Sequence, residues 1–187
     1  MPQVYSDIHL IWLDSPVPEW AKRNIREFSR LNPDRNIILH IDSYSLLDVY
    51  RPIYETLKLP CQKADLLRYS VLEVYGGWYF DIDFWPKVSV ETLETEYNIN
   101  EDTFFLTEFT NPRNPISNAV IYSKPHHPHW DVIKKAVLKA DNRCRNSYGP
   151  DILRGLNRSK ALEFTLGKAE QFYIEDSEYF VHGKKGL

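Results

Sequence analysis

Apolar positions along the chain follow two periods that alternate in order. Val4 to Leu13 (VYSDIHLIWL) is rich in β-formers and runs into the turn cluster Asp14-Ser15-Pro16, which predicts a first strand. Pro18-Glu19 then supplies the first-turn chemistry of a helix, and Ala21, Ile25 and Phe28 recur at i, i+4, i+7 until Asn32-Pro33-Asp34 ends the pattern. Asn36 to Ile41 reads as a short buried strand, so strand, helix, strand at this spacing predicts a βαβ unit in a parallel sheet. The stretch up to Pro60 gives mixed signals. From Lys63 to Tyr75, Ala64, Leu67, Val71, Leu72 and Tyr75 return to helical spacing, and Gly76-Gly77 stops the helix with residues that tolerate positive φ.

Trp78 to Phe84 (WYFDIDF) alternates as a strand and stops at Trp85-Pro86. Further strands are predicted at Phe104 to Phe109 and Ala119 to Tyr122, with helices at His129 to Ala140, Asp151 to Leu156 and near Ser159 to Leu166. Gln171 to Ile174 and Tyr179 to His182 complete the pattern as short final strands. There is no internal repeat and no low-complexity linker. The expectation is one α/β domain over residues 1–187.

Composition narrows the class. The chain has 187 residues, 43% hydrophobic and 26% charged, and this ordinary globular usage excludes a disordered or collagenous chain. A net charge of −3 lacks the basic footprint of a nucleic-acid binder, so no nucleic-acid partner is expected. No apolar run reaches membrane-spanning length, and the opening MPQVYSDIHLIWLD lacks the basic region of an export signal. Cys61 and Cys144 are too few for a disulfide framework or a Cys₄ zinc site. Together these point to a cytoplasmic protein with free thiols and no transmembrane segment.

The chemistry concentrates in Lys63 to Pro86, KADLLRYSVLEVYGGWYFDIDFWP. Asp65 and Arg68 stand three apart and project from one helix face. Asp81 and Asp83, two apart on a strand, share one side with Ile82 opposite. Two carboxylates held about 7 Å apart repel each other and lose solvation, and a divalent cation relieves both costs. Mg²⁺ or Mn²⁺ takes one or two carboxylates and fills its shell with phosphate oxygens and water, so the pair suits a metal–diphosphate complex. Arg68 adds a fork of donors matched to phosphate or sugar oxygens. Asp-x-Asp alone is a weak signal. The order of helix, Gly-Gly turn, aromatic strand and double Asp is a strong one.

That segment resembles the DXD sugar-binding motif of glycosyltransferase family 32, an Ala-Asp-x-x-Arg-Tyr helix followed by Gly-Gly-x-Tyr-x-Asp-x-Asp. Ala64, Asp65, Arg68, Tyr69, Gly76, Gly77, Tyr79, Asp81 and Asp83 match it in order and spacing. The opening IHLIWLDSPVPEW resembles the family's first strand and Pro-x-x-Trp turn. Asn118 to Pro125, with His127, Pro128 and Trp130, resembles a later strand-to-helix segment. Tyr148-Gly149-Pro150 resembles its Thr-Gly-Pro turn. Nearly the whole chain is covered.

The resemblance implies a GT-A-type fold: one nucleotide-sugar-binding domain with a mostly parallel central sheet flanked by helices. It implies a Mn²⁺- or Mg²⁺-dependent retaining enzyme. Such an enzyme moves a hexose or deoxyhexose from a nucleoside-diphosphate sugar to a glycan acceptor hydroxyl, UDP-sugar being favoured over GDP-sugar. By the same resemblance Trp12 stacks on the nucleobase, Leu13 borders the nucleotide-sugar pocket and Tyr79 lines the base and ribose. Asp65 and Arg68 bind the donor sugar. Asp81 meets ribose and the metal shell, and Asp83 binds the metal directly. Asn118 opens a strand near the acceptor face, within the donor site.

At the C-terminus His182 falls where relatives place a further metal ligand, and Lys184 and Lys185 reach toward phosphate. The Ser-Trp that follows the glycine in relatives is missing here. That departure leaves open that Leu187 ends one domain of a longer polypeptide.

Other candidates read more simply. His126, His127 and His129 flank prolines without a zinc spacing, His9 and His40 sit in apolar strands, and Trp20, Trp78, Trp85 and Trp130 read as packing. Two rival functions are weighed. A haloacid-dehalogenase-type phosphohydrolase also uses Asp-x-Asp, but near its chain start and with a different residue two beyond the second Asp. A non-catalytic nucleotide-sugar-binding module, a degenerate transferase, is the other.

Overall fold

The computed structural model describes residues 5–108, 116–141 and 147–169. The order is β1 (Ile8–Ile11), α1 (Glu19–Leu31), β2 (Ile37–His40), a 3₁₀ turn (Asp48–Tyr50), α2 (Arg51–Tyr54), α3 (Pro60–Tyr75) and β3 (Gly77–Phe80). It continues with α4 (Val90–Glu96), β4 (Phe105–Glu108), β5 (Ile116–Ser123), α5 (His129–Lys139), α6 (Pro150–Arg158) and β6 (Thr165–Lys168). The strands form one sheet in the order β2-β1-β3-β5-β4-β6, with β5 antiparallel to both of its neighbours and the other pairings parallel.

The sheet is covered on both faces, so its strands are apolar on both sides. Ile11, Tyr79, Leu106 and Ile121 face a core shared with Leu66, Leu67 and Leu72 of α3, Ile133 of α5 and Leu153 of α6. Their neighbours Leu10, Trp78, Phe80, Phe105 and Val120 face the opposite core, with Phe28 of α1 and Leu93 of α4. This is the expected α/β fold in three layers. α3 packs against β1, β3 and β5 and buries most of its circumference.

Its end is set by Gly76 and Gly77, at φ 67° and 91°. A Cβ on Gly76 would lie 2.4 Å from Pro125 Cδ, and one on Gly77 2.5 Å from the Asp7 carbonyl oxygen. The Gly-Gly pair therefore satisfies both the backbone geometry and the close approach of neighbouring chain. His9 fixes the same corner. The Gly76 oxygen 3.0 Å from its Nε2 can only accept, so Nε2 carries the proton and Nδ1 accepts from His40 Nε2 at 3.1 Å. Burial, and then His40, push His9 down to about 4, so the neutral ring this geometry requires is the stable one.

Three expectations are corrected, and one open stretch is resolved. The β3 strand stops at Phe80, so Asp81-Ile82-Asp83 is a turn, closed by Phe84 N–H to the Asp81 carbonyl at 2.9 Å. The Ser159 to Leu166 segment is not helical, and β6 forms at Thr165–Lys168 by pairing with β4. The first strand is shorter than Val4 to Leu13. The mixed stretch before Pro60 holds the 3₁₀ turn and α2. The proposed strands at Gln171 to Ile174 and Tyr179 to His182 lie outside the described residues.

His9 is buried as a core histidine, whereas His127, expected at the surface with His126 and His129, is buried too and only His126 of the three is exposed. His127 Nε2 bonds the Asp102 carbonyl at 3.1 Å, and His129 Nε2 bonds that of Glu163 at 2.8 Å, so these rings tie loops together. Trp78 and Trp130 are fully buried. Among the described residues no helix is long and apolar enough to cross a membrane.

Candidate donor-sugar site

The C-terminal ends of β1, β3 and β4 and the first residues of β5 lie along one edge of the sheet. In open α/β sheets this edge is where ligands bind. Asp65 and Arg68, in the half of α3 that starts at this edge, meet the β3 mouth there.

Arg68 is the hub. It is buried, with its Cζ 4.6 Å from the centre of the Tyr79 ring. Nη1 donates to the Asn118 carbonyl at 2.6 Å and lies 2.9 Å from Asp81 Oδ1; Nη2 lies 3.1 Å from Asp65 Oδ1. Burial works against its charge, but Asp81, the neighbouring tyrosines and Asp65 outweigh that and hold the guanidinium more firmly protonated than usual. Tyr79 donates its hydroxyl to Asp81 Oδ1 at 2.7 Å, and burial raises its phenol well above the ordinary value. Side-chain alternation explains the contact: Tyr79 faces the α3 layer, and Asp81, two residues on, continues on that side past the strand end.

Asn118 holds the other carboxylate, donating from Nδ2 to Asp65 Oδ1 at 2.8 Å. Asp65, Arg68, Tyr79, Asp81 and Asn118 are therefore one connected network. Asp81 keeps 30% of its side chain exposed and stands at the mouth, whereas Asp83 is half-buried with its Oδ1 shielded from solvent. The turn that carries them is held from the opposite face of the sheet by Asn24 of α1, whose Nδ2 donates to the Ile82 carbonyl at 2.9 Å.

This arrangement fits a hard divalent cation with few protein ligands. Two carboxylates sit on a turn at a partly open edge, with a buried arginine balancing charge behind them. Among the described residues no group of three or more His, Cys, Asp or Glu is arranged to hold a metal ion.

Trp12 lies just beyond β1 at the same edge, half-buried, with its indole N–H on Ser15 O at 3.0 Å and its ring edge-on to Trp20 at 5.5 Å. Leu13 turns its side chain into the core. His182, Lys184 and Lys185 lie outside the described residues. Sequence reasoning missed Asn24, whose only signal is a polar residue on the buried stripe between Ala21 and Phe28. It also gave no role to Tyr69 or Gly149, which meet beside Asp65: the Tyr69 hydroxyl donates to the Gly149 carbonyl at 3.1 Å.

Residues 15–100 match the family described as "Glycosyltransferase sugar-binding region containing DXD motif". The chain is 30% identical over 146 residues to an inositol phosphoceramide mannosyltransferase 2 of Schizosaccharomyces pombe, covering 74% of this chain and 39% of that protein. It thus spans about two fifths of that relative's length. Among solved structures, the PaToxG glycosyltransferase superposes with a TM-score of 0.70 at 16% identity, over 83% of this chain and 70% of that one. The UDP-bound glycosyltransferase domain of the YGT toxin gives a TM-score of 0.50 at 12% identity, over 86% of this chain and 65% of that one. The family match sets aside the phosphohydrolase reading. The family match over residues 15–100 and the named relative support a glycosyltransferase of the family 32 type with a DXD sugar-binding region, and the solved neighbours show the same fold.

Proposed function

We propose that this chain is a metal-dependent retaining glycosyltransferase, which moves a hexosyl group from a nucleoside-diphosphate sugar, UDP-sugar by preference, to a glycan hydroxyl. The observation that carries the reading is the Arg68 hub, which joins the sugar-binding carboxylate Asp65 to the DXD carboxylate Asp81 through one buried cation. The name of the fission-yeast relative favours mannose as the hexose.

In this reading Asp65, oriented by Asn118 and Arg68, accepts hydrogen bonds from the donor-sugar hydroxyls. Trp12 offers its ring face to the base. Arg68 is taken up largely by protein acceptors, so it orients the two aspartates more than it binds phosphate. That shifts the weight of phosphate recognition to Asp81, Asp83 and a cation, with His182 and Lys184 as further candidates from the chain's end. A divalent cation bound by Asp81 and Asp83 supplies positive charge against the negative charge that builds on the departing diphosphate.

The carboxylates near the sugar are each engaged: Asp65 by Asn118 and Arg68, Asp81 by Arg68 and Tyr79. They are built to orient and not to attack. The acceptor hydroxyl accordingly bonds the anomeric carbon on the face that the diphosphate leaves, as the bond from that carbon to the diphosphate oxygen breaks and the hydroxyl proton passes to the departing diphosphate.

The test is thermal unfolding with UDP and with GDP, each with and without Mn²⁺, followed by nucleotide release from UDP- and GDP-hexoses. A ligand at about 100 times its Kd adds roughly 2.7 kcal/mol, several degrees for a domain of this size. Stabilisation by one nucleotide only with Mn²⁺, and its release from the matching sugar donor, is the expected result. Binding without turnover would support the degenerate binding module instead, and no shift with either nucleotide would overturn both.

A further inference from the structure

Asp65 is enclosed from a third side by main chain. A Cβ built on Gly149 would lie 2.5 Å from Asp65 Oδ2 and 2.7 Å from its Cγ and Oδ1. The group that would have to yield is the carboxylate itself. It is short, and its Oδ1 is already held by Asn118 Nδ2 at 2.8 Å and faced by Arg68 Nη2 at 3.1 Å. Any side chain at 149 therefore redirects Asp65 or moves the turn.

The turn has little freedom to move. Tyr69 stands one helical turn beyond Asp65 on α3, and its hydroxyl donates to the Gly149 carbonyl at 3.1 Å. The helix that carries the carboxylate thus also holds the backbone pressed against it. From the other side, Arg154 of α6 donates from Nε to the Ile116 carbonyl at 2.9 Å, tying the helix that starts at this turn to β5, two residues before Asn118. Burial raises the Tyr69 phenol well above its ordinary range, so the donor keeps its proton.

We infer that Gly149 and Tyr69 are positioning residues for the donor sugar, setting the Asp65 carboxylate by close backbone approach and by a hydroxyl tether. The inference rests on the proposed function, because it assigns Asp65 to the sugar and not to the nucleotide. It predicts an effect confined to the sugar part of the donor. A glycine needed only to make the turn would lower stability and harm every ligand alike.

The experiment compares wild type, Gly149→Ala, Tyr69→Phe, Asp65→Ala and the double variant Asp65→Ala/Gly149→Ala, with Mn²⁺ present. Affinities are measured for UDP-glucose against UDP and for GDP-mannose against GDP, alongside kcat and KM for donor hydrolysis. Gly149→Ala should lower kcat/KM by about 10- to 100-fold, the scale of a misplaced group of this size. Its affinity for the bare nucleotide should stay within about twofold of wild type. Tyr69→Phe should shift the same quantities in the same direction by less, because its ring still packs while the tether is lost. In the Asp65→Ala background the Gly149→Ala effect on sugar-donor affinity should disappear.

Equal losses for nucleotide and nucleotide-sugar, or an undiminished Gly149 effect without the Asp65 carboxylate, would overturn the inference and leave the proposed function standing. Should Gly149→Ala fail to fold, Tyr69→Phe carries the test, and wild-type donor kinetics in it would refute the tether. A wild type that neither binds nucleotide nor turns over any donor would overturn the proposed function, and the inference with it.

Discussion

Replacing Arg68 by Met is the sharpest perturbation of the site, because it removes one charge from between two others and leaves the rest of the packing nearly filled. In the folded chain Arg68 sits 3.1 Å from Asp65 Oδ1 and 2.9 Å from Asp81 Oδ1 and donates to the Asn118 carbonyl at 2.6 Å. The Asp65 side chain is 7% exposed, so its carboxylate would be left buried without its counter-charge. Breaking a buried pair from one side costs about 3–5 kcal/mol. Asp81 is 30% exposed, so solvent screens its loss, which adds at most about 1 kcal/mol. The stranded Asn118 carbonyl adds about 1 kcal/mol.

A total of about 4–7 kcal/mol corresponds to a fall in Tm of roughly 8–28 °C for a chain of this length. Thermal and urea unfolding at pH 7 would measure it. The double variant Asp65→Asn/Arg68→Met should recover part of the loss, since no uncompensated charge then remains at Asp65. An Arg68→Met protein melting within about 3 °C of wild type, or a double variant no more stable than the single one, would refute the hub.

The other predictions concern separate groups. Asp83→Asn should abolish the Mn²⁺-dependent part of nucleotide stabilisation, and a variant stabilised as wild type would remove Asp83 from the metal assignment. Trp12→Ala should weaken nucleotide binding by about 1–3 kcal/mol if the ring stacks on the base; unchanged affinity by calorimetry would return Trp12 to packing against Trp20. His9 falls from 6.5 to about 4 on folding, so the unfolded chain binds the extra proton and stability falls as pH drops from about 6.5 toward 4. Between pH 7 and pH 5 this amounts to about 2 kcal/mol, with His40 adding in the same direction; an NMR titration placing His9 near 6.5 would refute it.

What was legible in the sequence is what lies close together along the chain. Asp65, Arg68, Tyr79 and Asp81 fall within one helix, one two-glycine turn and one strand, so helical and strand periods suffice to aim them at each other. Alternation even survived an error. The strand that should carry Asp81 and Asp83 ends at Phe80, yet Asp81 still meets the Tyr79 hydroxyl, because its N–H continues the pairing with β5 by bonding the Ala119 carbonyl at 2.7 Å. The segment Ser159 to Leu166 failed because Leu162 and Leu166 fit a helix while Leu162, Phe164 and Leu166 fit a strand. The β4 edge decided between them, and no local propensity could.

The resemblance already named Asn118 as a donor-site residue, but the contacts by which the partners orient the motif were hidden for a different reason. Asn24, Asn118 and Gly149 stand on elements far along the chain from the groups they hold, and each acts through an ordinary residue type at a position fixed only by packing. Each meets a different part of the same unit: Asn24 the backbone of the DXD turn, Asn118 the Asp65 carboxylate and the Arg68 guanidinium, Gly149 the remaining side of Asp65. The motif thus supplies the charges, and the geometry of those charges comes from outside it. A chain could keep Asp65, Arg68, Asp81 and Asp83 intact and still lose the site through any one of these three, because a carboxylate displaced by about an ångström no longer presents the same oxygen to a sugar hydroxyl. For a chain that shows the motif, the residues that decide between a transferase and a degenerate binder are therefore the orienting ones.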